Sequence, residues 1–151
     1  MIVWRLARLA YVKLDGEGAR LAGGRWNSRG RPAVYASSRL SLAALELLVH
    51  TDVPVVPPDL IACEIEIPDN VATEVVEPGD LPRDWRAPGH PACRAIGDTW
   101  LAEERTAVLR VPSAVVPEEW NVIINPRHRG AKGIDVVRRR PFAFDPRLLG
   151  Q

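Results

Sequence analysis

Four polar residues stand where the local pattern calls for apolar ones: Arg25, Tyr35, Glu46 and Ser113. Glu46 is the most demanding. It falls in LAALELL, within a helix predicted from about Arg39 to His50, on the same face as Leu42 and Val49. Leu42, Ala43, Ala44, Leu45, Leu47, Leu48 and Val49 make that helix apolar almost all round, so it is expected to be largely buried. A buried carboxylate is costly unless it is paired or hydrogen-bonded. Glu46 is therefore either a structural partner, with His50 at i+4 the nearest choice, or a carboxylate held for chemistry. Arg25 follows Gly23 and Gly24, which let the backbone turn tightly or approach a ligand closely, and it precedes Trp26. Singly, the other three have ordinary roles: a surface ion pair for Arg25, a core aromatic with its hydroxyl at the rim for Tyr35, and a turn former after proline for Ser113.

The elements that must position these groups are short. Ile2 to Ala7 reads as a first strand, with Ile2, Trp4 and Leu6 on one face and Val3, Arg5 and Ala7 on the other. Arg5 can project into a site from there, or lie along an edge. Tyr11 to Leu21 reads as a polar loop covering the GGRW turn. Ala33 to Ser37 is a short strand bearing Tyr35, and Ser38 is placed to cap the following helix. Three prolines between Asp52 and Asp59 end that helix. Leu60 to Ile67 alternates as a half-buried strand, with Ile61, Cys63, Ile65 and Ile67 inward. Thr73 to Val76 is a further short strand, and Glu77 to Pro91 a surface loop containing Trp85. Pro91 opens a second main helix reaching about Glu104. Strands are predicted at Thr106 to Val111, Ala114 to Val116 and Trp120 to Ile124, and the tail from Ile134 to Phe144 is β-like and basic. The result is a mixed α/β (α+β) chain of many short strands and two main helices.

Composition narrows the function classes. The 151 residues, 46% of them hydrophobic, suffice for one domain over 1–151 with a full-sized core. A net charge of +1 gives no general attraction to nucleic acid or anionic lipid. The arginines that interrupt the apolar N-terminus exclude a signal peptide, and no run approaches a membrane span. Two cysteines, Cys63 and Cys93, suit buried thiols in a reducing cytoplasm. With histidines only at 50, 90 and 128, no metal-site spacing exists. The fourteen prolines favour short elements joined by ordered turns.

The order and wording of the motifs carry a resemblance. WRLA, GGRWN, VYAS ten residues on, LAALELL, then VLRVPSAVVPEEWNVIINPRH and a closing FDPRL are similar to the RES-domain family. Those proteins are toxins of bacterial toxin–antitoxin pairs, named for an Arg, a Glu and a Ser. The likeness runs from about Val3 to Leu148. It implies an ADP-ribosyltransferase-like fold of two small, mainly antiparallel sheets around a cleft for NAD+, which is a substrate and not a bound cofactor. It implies inhibition by a cognate antitoxin of the Xre helix-turn-helix type. Carried over, the triad falls on Arg25, Glu46 and Ser113, with Tyr35 a fourth cleft residue. Gly24, Trp26, Arg5 and Asn121 join them as expected NAD+ contacts. Asn125 and His128 match the family's NP-x-H stretch, without an assigned role.

The residue types suit that substrate. An arginine fork binds pyrophosphate bidentately where lysine cannot, and Tyr35 offers a ring to stack on nicotinamide. Glu46 can hydrogen-bond the ribose hydroxyls and stabilise the positive charge that develops as nicotinamide leaves. Ser113 can donate to a phosphate or to the nicotinamide amide. Water as acceptor gives a glycohydrolase, inorganic phosphate a phosphorylase, and a protein side chain an ADP-ribosyltransferase. Net NAD+ depletion is favoured, with protein modification the alternative. A different class, an RNA-cleaving or nucleic-acid-binding toxin, draws on Arg127, His128, Arg129, Lys132 and Arg138 to Arg140 near tryptophans taken as exposed. A solvated basic edge that discourages strand pairing explains those charges as well. A pure interaction module fits less well, because a docking surface needs no buried carboxylate.

Overall fold

The computed structural model describes residues 1–51 and 55–151. Seven strands alternate with three helices: β1 (Ile2–Arg8), α1 (Glu17–Ala22), β2 (Val34–Ser37), α2 (Leu40–Val49), β3 (Leu60–Glu66), β4 (Thr73–Val75), α3 (Pro91–Glu103), β5 (Val108–Pro112), β6 (Trp120–Ile124) and β7 (Asp135–Pro141). All seven strands join one sheet in the order β4-β5-β6-β2-β1-β3-β7, antiparallel throughout except for β4 and β5. The pairing is uneven. β1 and β3 are in register from Ile2↔Glu66 to Arg8↔Leu60, and β2 and β6 from Val34↔Ile124 to Ser37↔Asn121. β1 and β2 meet at Trp4↔Ser37 alone. The two small sheets implied by the resemblance are thus the halves β4-β5-β6-β2 and β1-β3-β7 of one sheet, and the strands diverge at their joint.

Alternation along the strands builds a core on each face. Val34, Ala36, Val108, Val122 and Ile124 pack with Val3, Cys63 and Ile65 on one side. Leu109, Val111 and Ile123 pack on the other with Trp26, Trp85, Trp100 and Leu101. Pro91 starts α3 where its missing N–H is no loss, and His90 Nδ1 accepts from the Ala92 N–H at 3.1 Å. Glu104 stops it in a left-handed conformation at φ 49°. Both cysteines are free and buried, and burial pushes both thiols up in pKa.

Several expectations are corrected. The stretch read as a polar loop, Tyr11 to Leu21, follows a short 3-10 turn at Leu9–Tyr11 and holds most of α1. Ser38 does not cap α2; its N–H bonds Trp120 O at 3.0 Å and continues the β2–β6 pairing. Arg39 takes the cap position with no side-chain bond. α2 buries Leu42 and Ala43 against β1 and β2, while Leu45 is 40% exposed and Val49 61%, the latter at the rim of a cleft. Ala114 to Val116 form a bend and not a strand. Of the proline segment after α2, residues 52–54 lie outside the described residues. None of the five tryptophans is exposed: Trp26, Trp85 and Trp100 are core, and Trp4 and Trp120 are half-buried. Arg110 lies 4.4 Å over the Trp120 ring. The basic tail is an edge strand with Arg138, Arg139 and Arg140 exposed, which leaves the solvated-edge reading of those charges.

Candidate active site

The GGRWN turn is locked by its own polar groups. Gly24 N–H bonds Asn27 O at 3.0 Å. Asn27 is fully buried, and its Nδ2 reaches Ala19 O and Arg31 O at 2.9 Å each and Ser28 O at 3.2 Å. The Tyr35 hydroxyl donates to Asn27 Oδ1 at 2.7 Å and accepts from the Trp26 N–H at 3.0 Å. That hydroxyl is therefore occupied by the turn, and burial raises its pKa well above the ordinary phenol value. A side chain at Gly24 would place its Cβ 2.7 Å from the same oxygen, so glycine there answers a packing need. Asp98 on α3 accepts from Ser28 N–H at 2.8 Å and from the Ser28 hydroxyl, and pairs with Arg31 at 3.7 Å. Beside it, a Cβ on Gly97 would come 1.7 Å from Trp26 O. The turn lies directly on the backbone of α3.

Arg25 points out of this turn into a second loop. Its Nη1 donates to Trp85 O at 2.8 Å and Ala87 O at 3.0 Å, and its Nη2 to Arg86 O at 3.2 Å. Three carbonyls converge on one guanidinium, which clamps residues 85–87 against the cleft. The fork expected to hold pyrophosphate is largely committed to the chain's own backbone.

Glu46 is held by a chain of hydroxyl and amide groups. Its Oε1 accepts from the Ser113 hydroxyl at 2.7 Å and from Asn121 Nδ2. Ser113 Oγ in turn accepts from the Val115 and Val116 N–H groups at 3.1 and 3.0 Å. Asn121 Oδ1 accepts from the Ser37 hydroxyl at 2.7 Å. Ser113 is fully buried and lines no part of the cleft, and its single hydroxyl proton is spent on Glu46. It therefore serves the carboxylate and not, as expected, the substrate directly. His50, one turn on, lines the cleft but makes no ion pair with Glu46. Among the described residues no donor bonds Oε2, which leaves that oxygen to the cleft.

The cleft opens where β1 and β2 diverge and has two lobes meeting at Gly23, Gly24, Arg25, Glu46 and His50. The first lobe, about 690 Å³, runs past Arg29, Arg86 and Arg94. The second, about 460 Å³, is lined by Trp4, Leu6, Tyr35, Leu47 and Asn121. Arg5 also borders the second lobe; its guanidinium donates to Lys13 O at 3.5 Å, and desolvation draws its pKa below the ordinary value. Trp26 borders it too but is 2% exposed, its ring belonging to the core. Asn125 and His128 are elsewhere, past the far end of β6 from Asn121. Asn125 Oδ1 accepts from Arg127 N–H at 3.1 Å and His128 Nδ1 from Gly130 N–H at 2.9 Å, so both shape a turn. Among the described residues no group of three or more His, Cys, Asp or Glu is placed to hold a metal ion. The sequence reading gave no role to Asn27, Ser37, Gly97 or Asp98. Asn27 and Ser37 stand inside recognised motifs, GGRWN and VYAS, and nothing local marks Gly97 or Asp98.

The cleft between the two halves of the sheet brings Arg25, Tyr35, Glu46 and Asn121 together. The chain belongs to the RES domain family, which matches residues 2–145. It is 44% identical over 155 residues to the Prs ADP-ribosylating toxin of Sphingobium sp. (strain YBL2), covering 97% of this chain and 95% of that one. It is 42% identical over 153 residues to Toxin Res of Photorhabdus laumondii, covering 99% and 97%. A chain of the crystal structure of the M. tuberculosis MbcT–MbcA toxin–antitoxin complex superposes with a TM-score of 0.73 over 99% of this chain and 86% of that chain, at 18% identity. The mixed α/β architecture is thus shared with that neighbour.

Proposed function

We propose that the chain is the toxin of a bacterial toxin–antitoxin pair and breaks the nicotinamide–ribose bond of NAD+. The observation that carries this is Glu46, with one oxygen pinned by Ser113 and Asn121 and the other facing a cleft large enough for a dinucleotide. As the C1′–N bond breaks, its electron pair goes to the nicotinamide ring and the ribosyl carbon becomes positive. A carboxylate whose orientation is fixed beforehand stabilises that charge without reorganising. The half-buried Tyr35 ring and Trp4 give the departing nicotinamide an aromatic wall. The acceptor oxygen then bonds to C1′ and sheds its proton.

With water or phosphate as acceptor, the outcome is NAD+ depletion. A second reading, transfer to a protein side chain, is favoured by the relative named for ADP-ribosylating Prs. Both readings use the same residues for cleavage. A cognate antitoxin of the helix-turn-helix type, holding the toxin inactive in the cytoplasm, completes the proposal. Its support is the neighbour solved as a toxin–antitoxin complex. No helix among the described residues is long and apolar enough to cross a membrane.

The test is to incubate antitoxin-free protein with NAD+ and identify the products. Nicotinamide with ADP-ribose indicates hydrolysis, nicotinamide with a phosphorylated ADP-ribose indicates phosphorolysis, and label on a protein band indicates transfer. NAD+ left intact, with phosphate and cell extract both supplied, would overturn the enzymatic reading.

A further inference from the structure

The first lobe carries four arginines, Arg25, Arg29, Arg86 and Arg94, against the single carboxylate of Glu46. The whole chain has a net charge of only +1, so this is a local concentration of positive charge. Arg25 has three of its N–H directions committed to backbone carbonyls. Arg29, Arg86 and Arg94 form no ion pair among the described residues, and the nearby Asp98 is taken by Ser28 and Arg31. Arg86 Nε donates to Ala114 O at 2.9 Å, which holds its side chain in place with the terminal nitrogens free. Arg94 sits on the first turns of α3, beside Gly89, where a Cβ would lie 3.7 Å from its Nη2.

We propose that this lobe seats a diphosphate, and that Arg29, Arg86 and Arg94, in place of Arg25, carry the charge that complements it. The inference rests on the NAD+ reading and deepens it by setting the direction of the substrate. Glu46 is common to both lobes, with aromatic and aliphatic walls on one side and uncompensated guanidinium groups on the other. The order nicotinamide, ribose, diphosphate along the dinucleotide then maps onto second lobe, Glu46, first lobe. Arg25 becomes a positioning residue that keeps the Arg86 loop in place. Planar guanidinium groups bind phosphate oxygens by charge-assisted, often bidentate hydrogen bonds. Three that enter the bound state without a protein carboxylate to leave have no competing pair to break.

ADP-ribose, which keeps the diphosphate and lacks nicotinamide, is the probe. Calorimetric titration of wild type and of the double variant Arg29→Ala/Arg94→Ala is expected to show affinity lowered about ten- to a hundredfold, with a weaker dependence on salt. The KM for NAD+ should rise in parallel. Both side chains are exposed, so the melting temperature should hold. A second double variant, Arg138→Ala/Arg140→Ala on β7, removes equal charge far from the lobe and should bind ADP-ribose like wild type. Unchanged affinity in the first variant, or an equal loss in both, overturns the assignment while leaving NAD+ as substrate. Wild-type protein that binds neither ADP-ribose nor NAD+ overturns the NAD+ reading beneath it.

Discussion

Glu46→Gln separates catalysis from architecture, and the geometry says how. Ser113 and Asn121 both donate to Oε1. Glutamine keeps a carbonyl oxygen at that place, so both bonds survive as neutral ones and the amide nitrogen replaces Oε2 in the cleft. Each bond weakens by about 1 kcal/mol on losing its charge, and this is offset by removing a half-buried carboxylate from a low-dielectric site. The net change in stability should stay within about 1 kcal/mol, a shift of roughly 2–4 °C in melting temperature for a chain of this size. Turnover has no such compensation, because an amide N–H₂ faces the positive ribosyl carbon where an anionic oxygen stood. The expected loss is about two to four powers of ten, or roughly 3–5 kcal/mol of transition-state stabilisation. Melting temperature and nicotinamide release are measured on one preparation, and cells should tolerate the variant without antitoxin. A protein that melts many degrees lower yet turns over normally in its folded fraction would remove Glu46 from the mechanism and refute the reasoning.

Tyr35→Phe should cost about 1–3 kcal/mol, because it leaves the Trp26 N–H and Asn27 Oδ1 unpaired in a buried turn. Burial holds the folded-state phenol pKa above its ordinary value, which is about 10 in the unfolded chain, so wild-type stability is full below that pH and falls as pH rises beyond it, when the unfolded chain ionises first. Urea melts from pH 8 to 11 should show that decline in wild type and a shallower one in the variant; identical slopes would sink the argument. Arg25→Lys replaces a planar fork, which meets three carbonyls from two separate nitrogens, by a single ammonium nitrogen that cannot reproduce that spread. Faster amide exchange through residues 85–89 and a higher KM for NAD+ are expected, and an unaltered exchange pattern would show that the clamp is dispensable. Gly97→Ala drives a Cβ into Trp26 O, with a loss of about 2–3 kcal/mol expected in chemical denaturation. A near-neutral result would mean that α3 and the turn separate freely.

The sequence by itself determined most of the strands, though not the bend at Ala114 to Val116, together with the two main helices and the residues worth watching. Period-two alternation in Leu60 to Ile67, a proline at the start of α3 and a charged residue inside LAALELL are local signals, and they survive in any context. It also carried the family, because motif order is a property of the chain. What it could not determine is whom each polar group serves. Ser113 and Glu46 are 67 residues apart and Asn121 and Glu46 75 apart, so nothing local says that the serine's one proton goes to the carboxylate. Arg25 meets carbonyls about 60 residues away, which turns an apparent phosphate fork into a loop clamp. α2 reads as buried because its composition is apolar, yet only packing against β1 and β2 decides which side is covered. Leu45 is left exposed and Val49 borders the cleft as a result. Hydrogen-bond donors are few and directional, and their allocation is settled only once distant segments meet; the tertiary structure alone makes that assignment.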